Sequence, residues 1–224
     1  MFKDFLSFWK GKEFLSKVLE EFKQMLDDTE FMFESVCACL LDNKDAPDLK
    51  EKIYEIDRKV NVLQKEIRKR IVEHLALQPT VDVTACLLLM SVVKDAERLG
   101  DYAKNLFEVT ELLEKPIGRT LFSQYFNNID KEVLELFEQT KQAFIETDVD
   151  MATLTWESKK KIAGKCDDTL AKIAKSHLTV NEAVCYTLIA RYFKRIVAHL
   201  VNIATSVILP LSDLDYFDEG RDDK

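Results

Sequence analysis

The amino-acid sequence predicts an all-α protein made of two tandem three-helix bundles, with six long helices in total. Its 224 residues include only 5 Gly and 4 Pro, while 47% are hydrophobic and 32% are charged. That balance is typical of long amphipathic helices with solvated outer faces. Apolar residues recur at intervals of three and four, which is the helical period. The two halves also repeat each other, which predicts one bundle in each half.

The sequence of the first half predicts three helices. The first begins near Phe14 and ends before the polar residues 42–48, and the second ends at Gln78-Pro79-Thr80. The third, which Thr80 or Asp82 can cap, runs to about Leu113. The predicted buried stripes are Val18, Phe22, Met25, Met32 and Val36, with Thr29 at the missing step; Ile53, Ile56, Val60, Leu63 and Ile67; and Leu89, Val93, Ala96, Gly100, Ala103 and Phe107.

The strongest break in the chain is Lys115-Pro116-Ile117-Gly118, and we place the domain boundary there. Residues 1–115 form the first repeat, residues 116–211 the second, and residues 212–224 an acidic tail that is expected to be disordered. A fourth helix carries the stripe Phe122, Phe126, Ile129, Val133, Leu136 and Phe144. A fifth helix runs from Met151 to His177, and a capping box of Thr179 with Glu182 begins the sixth. Each bundle is expected to have its own core.

Short matching motifs carry the repeat. Thr80-Val81-Asp82 recurs as Thr179-Val180-Asn181. Arg98-Leu99 with Asn105-Leu106 recurs as Arg195-Ile196 with Asn202-Ile203.

Charge and cysteine content exclude several classes of protein. A formal net charge of −8 without a basic patch argues against nucleic-acid binding. The longest apolar stretch, residues 201–211, is too short to span a bilayer, and Asp4 interrupts any N-terminal signal sequence. We therefore predict a soluble, cytoplasmic protein. Five cysteines stand mostly among apolar residues and are expected to be reduced core residues: Cys37, Cys39, Cys86, Cys166 and Cys185.

The N-terminal segment places Phe2, Phe5, Phe8 and Trp9 on one side of a short amphipathic turn. These aromatic side chains are expected to pack on the protein's own bundle. The alternative is that they dock on a membrane or on a partner, although basic residues do not dominate the opposite face.

An acidic pair lies beside a seam of small residues in the third helix. Ala96, Gly100 and Ala103 share one helical face, which lets a neighbouring helix approach closely. Glu97 and Asp101 lie one turn apart beside that seam, and their like charges disfavour the helix by roughly 0.2–0.5 kcal/mol. Either the nearby cations or a bound metal ion must offset this repulsion. The nearby cations are Lys94, Arg98 and Lys104.

No catalytic arrangement is evident in the sequence, so the chain is predicted not to be an enzyme. It has no Gly-rich phosphate loop, and His74, His177 and His199 lie far apart without a nucleophile. A helical-bundle metalloenzyme of the di-iron carboxylate type would need Glu-x-x-His pairs, which the chain lacks. That class is the less favoured alternative.

The chain resembles the PhoU family over nearly its whole length. The resemblance rests on Glu97-Arg98-Leu99-Gly100-Asp101 with Asn105, on the helix entry at residues 178–183, and on Arg191-Tyr192-Phe193. It implies two tandem three-helix repeats that act as a cytoplasmic regulator of phosphate uptake.

The resemblance also implies a metal site on the bundle surface. By position, its ligands are Asp57 with Asn61 on the second helix and Glu97 with Asp101 on the third. The implied ion is divalent or ferric, with iron, zinc, magnesium and manganese as candidates, and the neutral Asn61 departs from the family pattern.

The second repeat departs further from the family pattern. Lys194 and Ala198 occupy the two acidic positions, and Lys161 lies four residues after Glu157. We therefore expect a lysine amine beside Glu157 to replace a bound ion.

The implied partners are the ATPase subunit of a phosphate ABC transporter and a sensor histidine kinase, and a homodimer is a further expectation. The alternative within this resemblance is an accessory subunit that adjusts a phosphate permease directly, because fold alone does not settle function.

Overall fold

The computed structural model describes residues 13–42 and 48–214, and within them the chain is all-α. The N-terminal aromatic segment and residues 215–224 of the acidic tail lie outside the described residues. The helices are α1 (Glu13–Asp42), α2 (Leu49–Leu77), α3 (Val83–Leu112), α4 (Gly118–Phe126), α5 (Ile129–Glu146), α6 (Val149–Ala174) and α7 (Val180–Thr205), followed by a 3-10 turn at Leu211–Asp213. The all-α prediction is confirmed, but the described part of the chain contains seven α-helices rather than six.

The additional helix arises because the predicted fourth helix is broken in two. Asn127 and Asn128 both adopt the left-handed conformation, with φ of 51° and 56°, which asparagine tolerates better than most residues. The Asn127 N–H donates to the carbonyl of Ser123 at 3.0 Å, and this bond closes α4. Phe126 and Ile129 are nevertheless both fully buried. The apolar period therefore continues across the break and conceals it in the sequence.

Two of the predicted helix starts can be compared directly with the structure. The capping box at α7 is confirmed, because Thr179 accepts from the Glu182 N–H and Glu182 accepts from the Thr179 N–H. The predicted side-chain cap of α3 is wrong: Asp82 occupies the N-cap position with φ of 58° and makes no capping hydrogen bond. Its carboxylate instead lies 3.5 Å from Nε2 of His74.

Each half contributes three long helices that pack on one another. Helices α1, α2 and α3 contact each other in the first half, and α5, α6 and α7 do so in the second. The short α4 lies against α1 and α6. The halves meet where α3 packs on α7 and α1 packs on α5.

The buried side chains form one continuous hydrophobic core through both halves. Phe33 of α1 lies 5.7 Å from Phe137 and 5.3 Å from Phe193, measured between ring centroids. The ring centroids of Phe22 and Phe144 are 4.8 Å apart. The expectation of separate cores is therefore wrong, while the domain boundary at residue 115 stays a prediction.

The shared core has a simple origin in the sequence of α1. The predicted stripe of α1 is fully buried, including Thr29. A second row, Leu26, Phe33 and Leu40, is also buried. These residues are seven apart and so share one helical face. Because Phe33 in this row contacts the second half, α1 is buried on two sides.

The other predicted stripes are confirmed with minor exceptions. Every residue of the predicted α3 stripe is buried, and so are all six residues of the stripe that α4 and α5 share. In α2, Ile56 and Leu63 are only half-buried.

All five cysteines are free thiols, and four of them are buried, whereas Cys39 is half-buried. Burial raises the pKa of Cys37 well above its ordinary value and that of Cys166 to about 12. Thiols with such high pKa values stay protonated and are poor nucleophiles.

Replacing Phe33 with Ala tests whether the halves unfold together. We expect the free energy of unfolding to fall by about 3–5 kcal/mol, because a fully buried aromatic ring is removed. Trp156 of the second half reports unfolding by fluorescence in a Trp9→Phe background, during urea titration. Leu121→Ala, at a side chain that is 41% exposed, is the control and should change stability by less than about 1 kcal/mol. An unshifted Trp156 transition in Phe33→Ala would contradict a shared core.

Replacing Gly100 with Ala tests the small-residue seam. A Cβ at Gly100 would lie 3.4 Å from Cγ2 of Thr29 and 3.7 Å from Cγ1 of Val60, which are ordinary contact distances. Alanine also restricts the unfolded chain, so we expect a gain of about 0.5–1 kcal/mol in urea unfolding. Gly100→Leu should instead lose about 1–3 kcal/mol by overpacking. A loss in both variants would show that the seam requires glycine itself.

Candidate functional site

The four predicted ligands lie along the contact between α2 and α3, and we call them the α2–α3 cluster: Asp57, Asn61, Glu97 and Asp101. Asp57 is buried, at 9% exposure. The amide of Asn61 donates to Oδ2 of Asp57 at 3.4 Å. The cluster therefore combines carboxylates from two neighbouring helices, as the sequence predicts.

The ammonium of Lys104 lies between the two helices in this cluster. Its Nζ is 2.9 Å from Oδ1 of Asp57 and 3.3 Å from Oδ1 of Asp101. Burial acts to lower the pKa of Lys104, but the hydrogen bonds and charges of both carboxylates outweigh it and raise the pKa above its ordinary value. Lys104 therefore stays charged and joins α2 to α3.

Arg98 neutralises the outer side of the cluster. Its NH1 donates to Oδ2 of Asp101 at 2.8 Å, and its Nε lies 3.7 Å from Oε2 of Glu97. Burial is the main cause that raises the pKa of Glu97, and the negative charge of Asp101 raises it further. The positive charge of Arg98 acts to lower this pKa. Of the three cations that the sequence offered, Arg98 and Lys104 thus offset the repulsion between Glu97 and Asp101, and the charge of Arg68 in α2 acts on Glu97 as well.

The carboxylates of Asp57 and Asp101 are arranged around the ammonium of Lys104. Within residues 13–42 and 48–214, no group of three or more His, Cys, Asp or Glu side chains is placed to hold a metal. The amine of Lys104 lies where an ion bridging Asp57 and Asp101 would lie. The metal assignment therefore stays a prediction.

Lysines of the second repeat pair with carboxylates other than the expected one. Lys194 of α7 contacts both carboxylate oxygens of Asp167 of α6, at 2.7 and 2.8 Å. Lys161 lies 2.7 Å from Glu132. The expectation of a lysine beside Glu157 is wrong for Lys194. This lysine contacts Asp167, which lies ten residues after Glu157 in α6 and so about 15 Å farther along the helix.

A polar cluster between the halves was not predicted. The carboxylate of Asp95 in α3, which is 7% exposed, lies 2.7 Å from Nδ1 of His199 and accepts from Asn202 at 3.3 Å. The ring of Tyr102 stacks on His199 at 5.6 Å and lies 5.9 Å from the ring of Tyr192. Asp95 and Tyr102 are seven residues apart, as are Tyr192 and His199. That shared heptad spacing is the signal that could have indicated a second contact face.

Lys141 forms a second unpredicted connection, between α5 and α1. Its ammonium lies 2.6 Å from Glu30, 2.9 Å from Glu138 and 3.4 Å from Asp27. Burial acts to lower the pKa of Lys141, but the hydrogen bonds to Glu30 and Glu138 outweigh it and raise the pKa above its ordinary value. A lysine thus joins the two halves on this side as well.

Surface grooves lie away from the α2–α3 cluster. One, of about 600 Å³, runs between α4 and α6 and is lined by Tyr125, Asp168 and Lys172 among others. Two more, of about 360 and 220 Å³, lie along α5 and are lined mainly by charged and amide side chains such as Glu135 and Gln139. In the described part of the chain, no helix combines the length and apolar character needed to cross a membrane.

Two three-helix units that share a core, with ion pairs linking their helices, define an all-α tandem-repeat protein. The family model described as the PhoU domain matches residues 22–110 and 126–207, so that one match falls in each half. The chain therefore belongs to the PhoU family, as its sequence motifs suggested.

Known relatives are similar over most of their length. The "Phosphate-specific transport system accessory protein PhoU homolog 1" of Thermotoga maritima is 24% identical over 203 residues, which cover 85% of this chain and 79% of the relative. A PhoU homolog of Aquifex aeolicus is 29% identical over 150 residues, covering 65% of this chain and 62% of the relative.

Two crystal structures have the same fold. PhoU from Pseudomonas aeruginosa superposes with a TM-score of 0.76 at 23% identity, covering 87% of this chain and 95% of that chain. The phosphate transport system regulatory protein PhoU from Streptococcus pneumoniae gives a TM-score of 0.72 at 20% identity, covering 88% of this chain and 95% of that chain.

Replacing Glu97 with Gln tests the electrostatics of the cluster. Because the pKa of Glu97 is raised in the folded chain, its ionisation disfavours folding once the pH exceeds the unfolded pKa of about 4.3. Stability is therefore lost as the pH rises through the folded pKa. Glu97→Gln removes this loss, so we expect it to stabilise the chain by less than about 1 kcal/mol at neutral pH and to have no effect below both pKa values. The melting temperatures of the wild type and of Glu97→Gln, measured from acidic to neutral pH, test the gain at neutral pH and its absence at low pH.

The control for this prediction is Glu55→Gln, which changes an exposed glutamate of α2. It should leave the pH dependence of the melting temperature unchanged. A Glu97→Gln chain that loses stability at neutral pH would show that the contact with Arg98 outweighs the effect of burial.

Proposed function

We propose that this chain regulates phosphate transport and phosphate-responsive signalling through protein–protein contacts. The observation that carries the proposal is the PhoU domain match in both halves. Relatives similar over most of their length are named accessory proteins of the phosphate-specific transport system. A solved structure of the same fold is titled a phosphate transport system regulatory protein.

The partners proposed are the ATPase subunit of a phosphate ABC transporter and a membrane sensor histidine kinase. Both present surfaces to the cytoplasm, so the chain is proposed to act there. A rigid bundle suits this role, because a preformed surface loses little conformational entropy when it binds. The shared core and the lysines between helices support such rigidity in this chain.

This function does not require a metal ion on the α2–α3 cluster. Lys104 and Arg98 already neutralise much of its negative charge. The proposed role therefore does not rest on a divalent or ferric ion at Asp57, Asn61, Glu97 and Asp101.

Co-purification with the transporter tests the proposed partners. The tagged full chain should retain the ATPase subunit of the phosphate transporter from the same organism, and it should not retain the ATPase subunit of an unrelated ABC transporter. Deleting the gene should remove the response of phosphate uptake to excess phosphate, measured with radiolabelled phosphate, and the intact gene should restore it. Both effects are expected because the chain would act by occupying the ATPase.

The outcomes distinguish this proposal from its alternative. Retention of the membrane permease without the ATPase would favour direct adjustment of the permease. An unchanged uptake response together with no retention of ATPase or kinase would contradict the proposal as a whole.

A further inference from the structure

We propose that the ammonium of Lys104 is a built-in cation that closes the α2–α3 cluster to divalent metal ions, so that removing this one amine turns the cluster into a metal site. The inference rests on the geometry of Lys104 and its neighbours. It does not depend on the regulatory function proposed above.

The amine of Lys104 bridges the two helices of the cluster. Nζ of Lys104 contacts one carboxylate from α2, that of Asp57, and one from α3, that of Asp101. A divalent ion in an open oxygen site would bridge the two helices through the same two groups. The distances of 2.9 and 3.3 Å are hydrogen-bond lengths for an ammonium, whereas Mg²⁺ holds its oxygen ligands at about 2.0–2.1 Å. The cluster is therefore set for an ammonium.

Both carboxylate oxygens of Asp57 already accept hydrogen bonds. Oδ1 accepts from Lys104 and Oδ2 accepts from the amide of Asn61. The amide oxygen of Asn61 could serve as a metal ligand only if this side chain turned and released Asp57. An incoming ion would have to displace both donors from the one buried carboxylate of the cluster.

Charge favours the same conclusion. Lys104 contacts a carboxylate of α2 and a carboxylate of α3, whereas the charges of Arg98 and Arg68 act on Glu97. Arg98 approaches from the outer side, through Asp101 and Glu97. Without Lys104, the buried carboxylate of Asp57 would lose the ammonium that contacts it, and Asp101 would keep only its contact with Arg98. Buried carboxylates with excess negative charge attract divalent ions, so loss of the amine should create affinity for metal.

In the second repeat, Lys194 of α7 contacts both carboxylate oxygens of Asp167 of α6. The corresponding pair of helices in each half is thus linked by a lysine. The two lysines differ in position, because Lys194 takes the repeat position of Glu97, and the Lys194–Asp167 pair is exposed whereas the Lys104–Asp57 pair is largely buried.

The test uses the full-length chain, stripped of metal with EDTA, and Mn²⁺ as the probe. Lys104→Met removes the charge and keeps a side chain of similar length, while Lys104→Gln removes the charge and keeps a hydrogen-bond donor. Lys104→Arg keeps the charge and is the matched control. Each variant is also made with Asp57→Asn and Asp101→Asn, which remove the ligands. Electron paramagnetic resonance counts bound Mn²⁺, and the shift in melting temperature with Mn²⁺ gives a second readout.

We expect Lys104→Met and Lys104→Gln to bind about one Mn²⁺ per chain, at least roughly tenfold more tightly than the wild type, with a rise in melting temperature. The wild type and Lys104→Arg should bind no more than the chains that lack the ligands. Stoichiometric binding by the wild type that disappears with Asp57→Asn and Asp101→Asn would overturn the proposal. This arm does not depend on the folding of any Lys104 variant. Folded Lys104→Met and Lys104→Gln chains that bind no Mn²⁺ would overturn it as well.

Discussion

The structure depends on the burial of α1 and α3 on two sides each. In α3, Gly100 faces Thr29 and Val60 of the first half, while Asp95 and Tyr102 face α7 of the second half. A helix buried on two sides transmits a change of packing from one neighbour to the other, because close-packed interiors deform little. The two repeats are therefore best regarded as one mechanical unit, even though each holds a PhoU domain match.

The apolar period was sufficient to predict most of the helices, and it failed where a different constraint determined the backbone. It located α1, α2 and α3 because each has one strong stripe. It missed the break at Asn127 and Asn128 because the stripe continues in phase from Phe126 to Ile129. It also missed the shared core, because the row that includes Phe33 is weaker than the main stripe of α1. A single strong period hides a second contact face.

The candidate site was predicted as a set of residues but not as a set of contacts. The spacing of Glu97 and Asp101 indicated that a cation was needed, and Lys104 was one of the candidates. The choice between lysine and metal depends on the register of α2 against α3, which spacing within one helix cannot give. The partner of Lys194 could not be predicted for the same reason, because the register of α6 against α7 determines that Lys194 contacts Asp167. A shift of one residue turns a helical side chain by about 100°, and the pairing changes with it.

A lysine between helices and a bound metal ion both offset the charge of carboxylates, but they respond differently to the cell. A divalent ion exchanges with its surroundings, so a site that depends on it follows the concentration of metal. The ammonium of Lys104 belongs to the chain, and its pKa is raised rather than lowered by its partners, so its charge is constant at physiological pH. Under the proposal made above, the charge that joins α2 to α3 therefore does not vary with the concentration of metal.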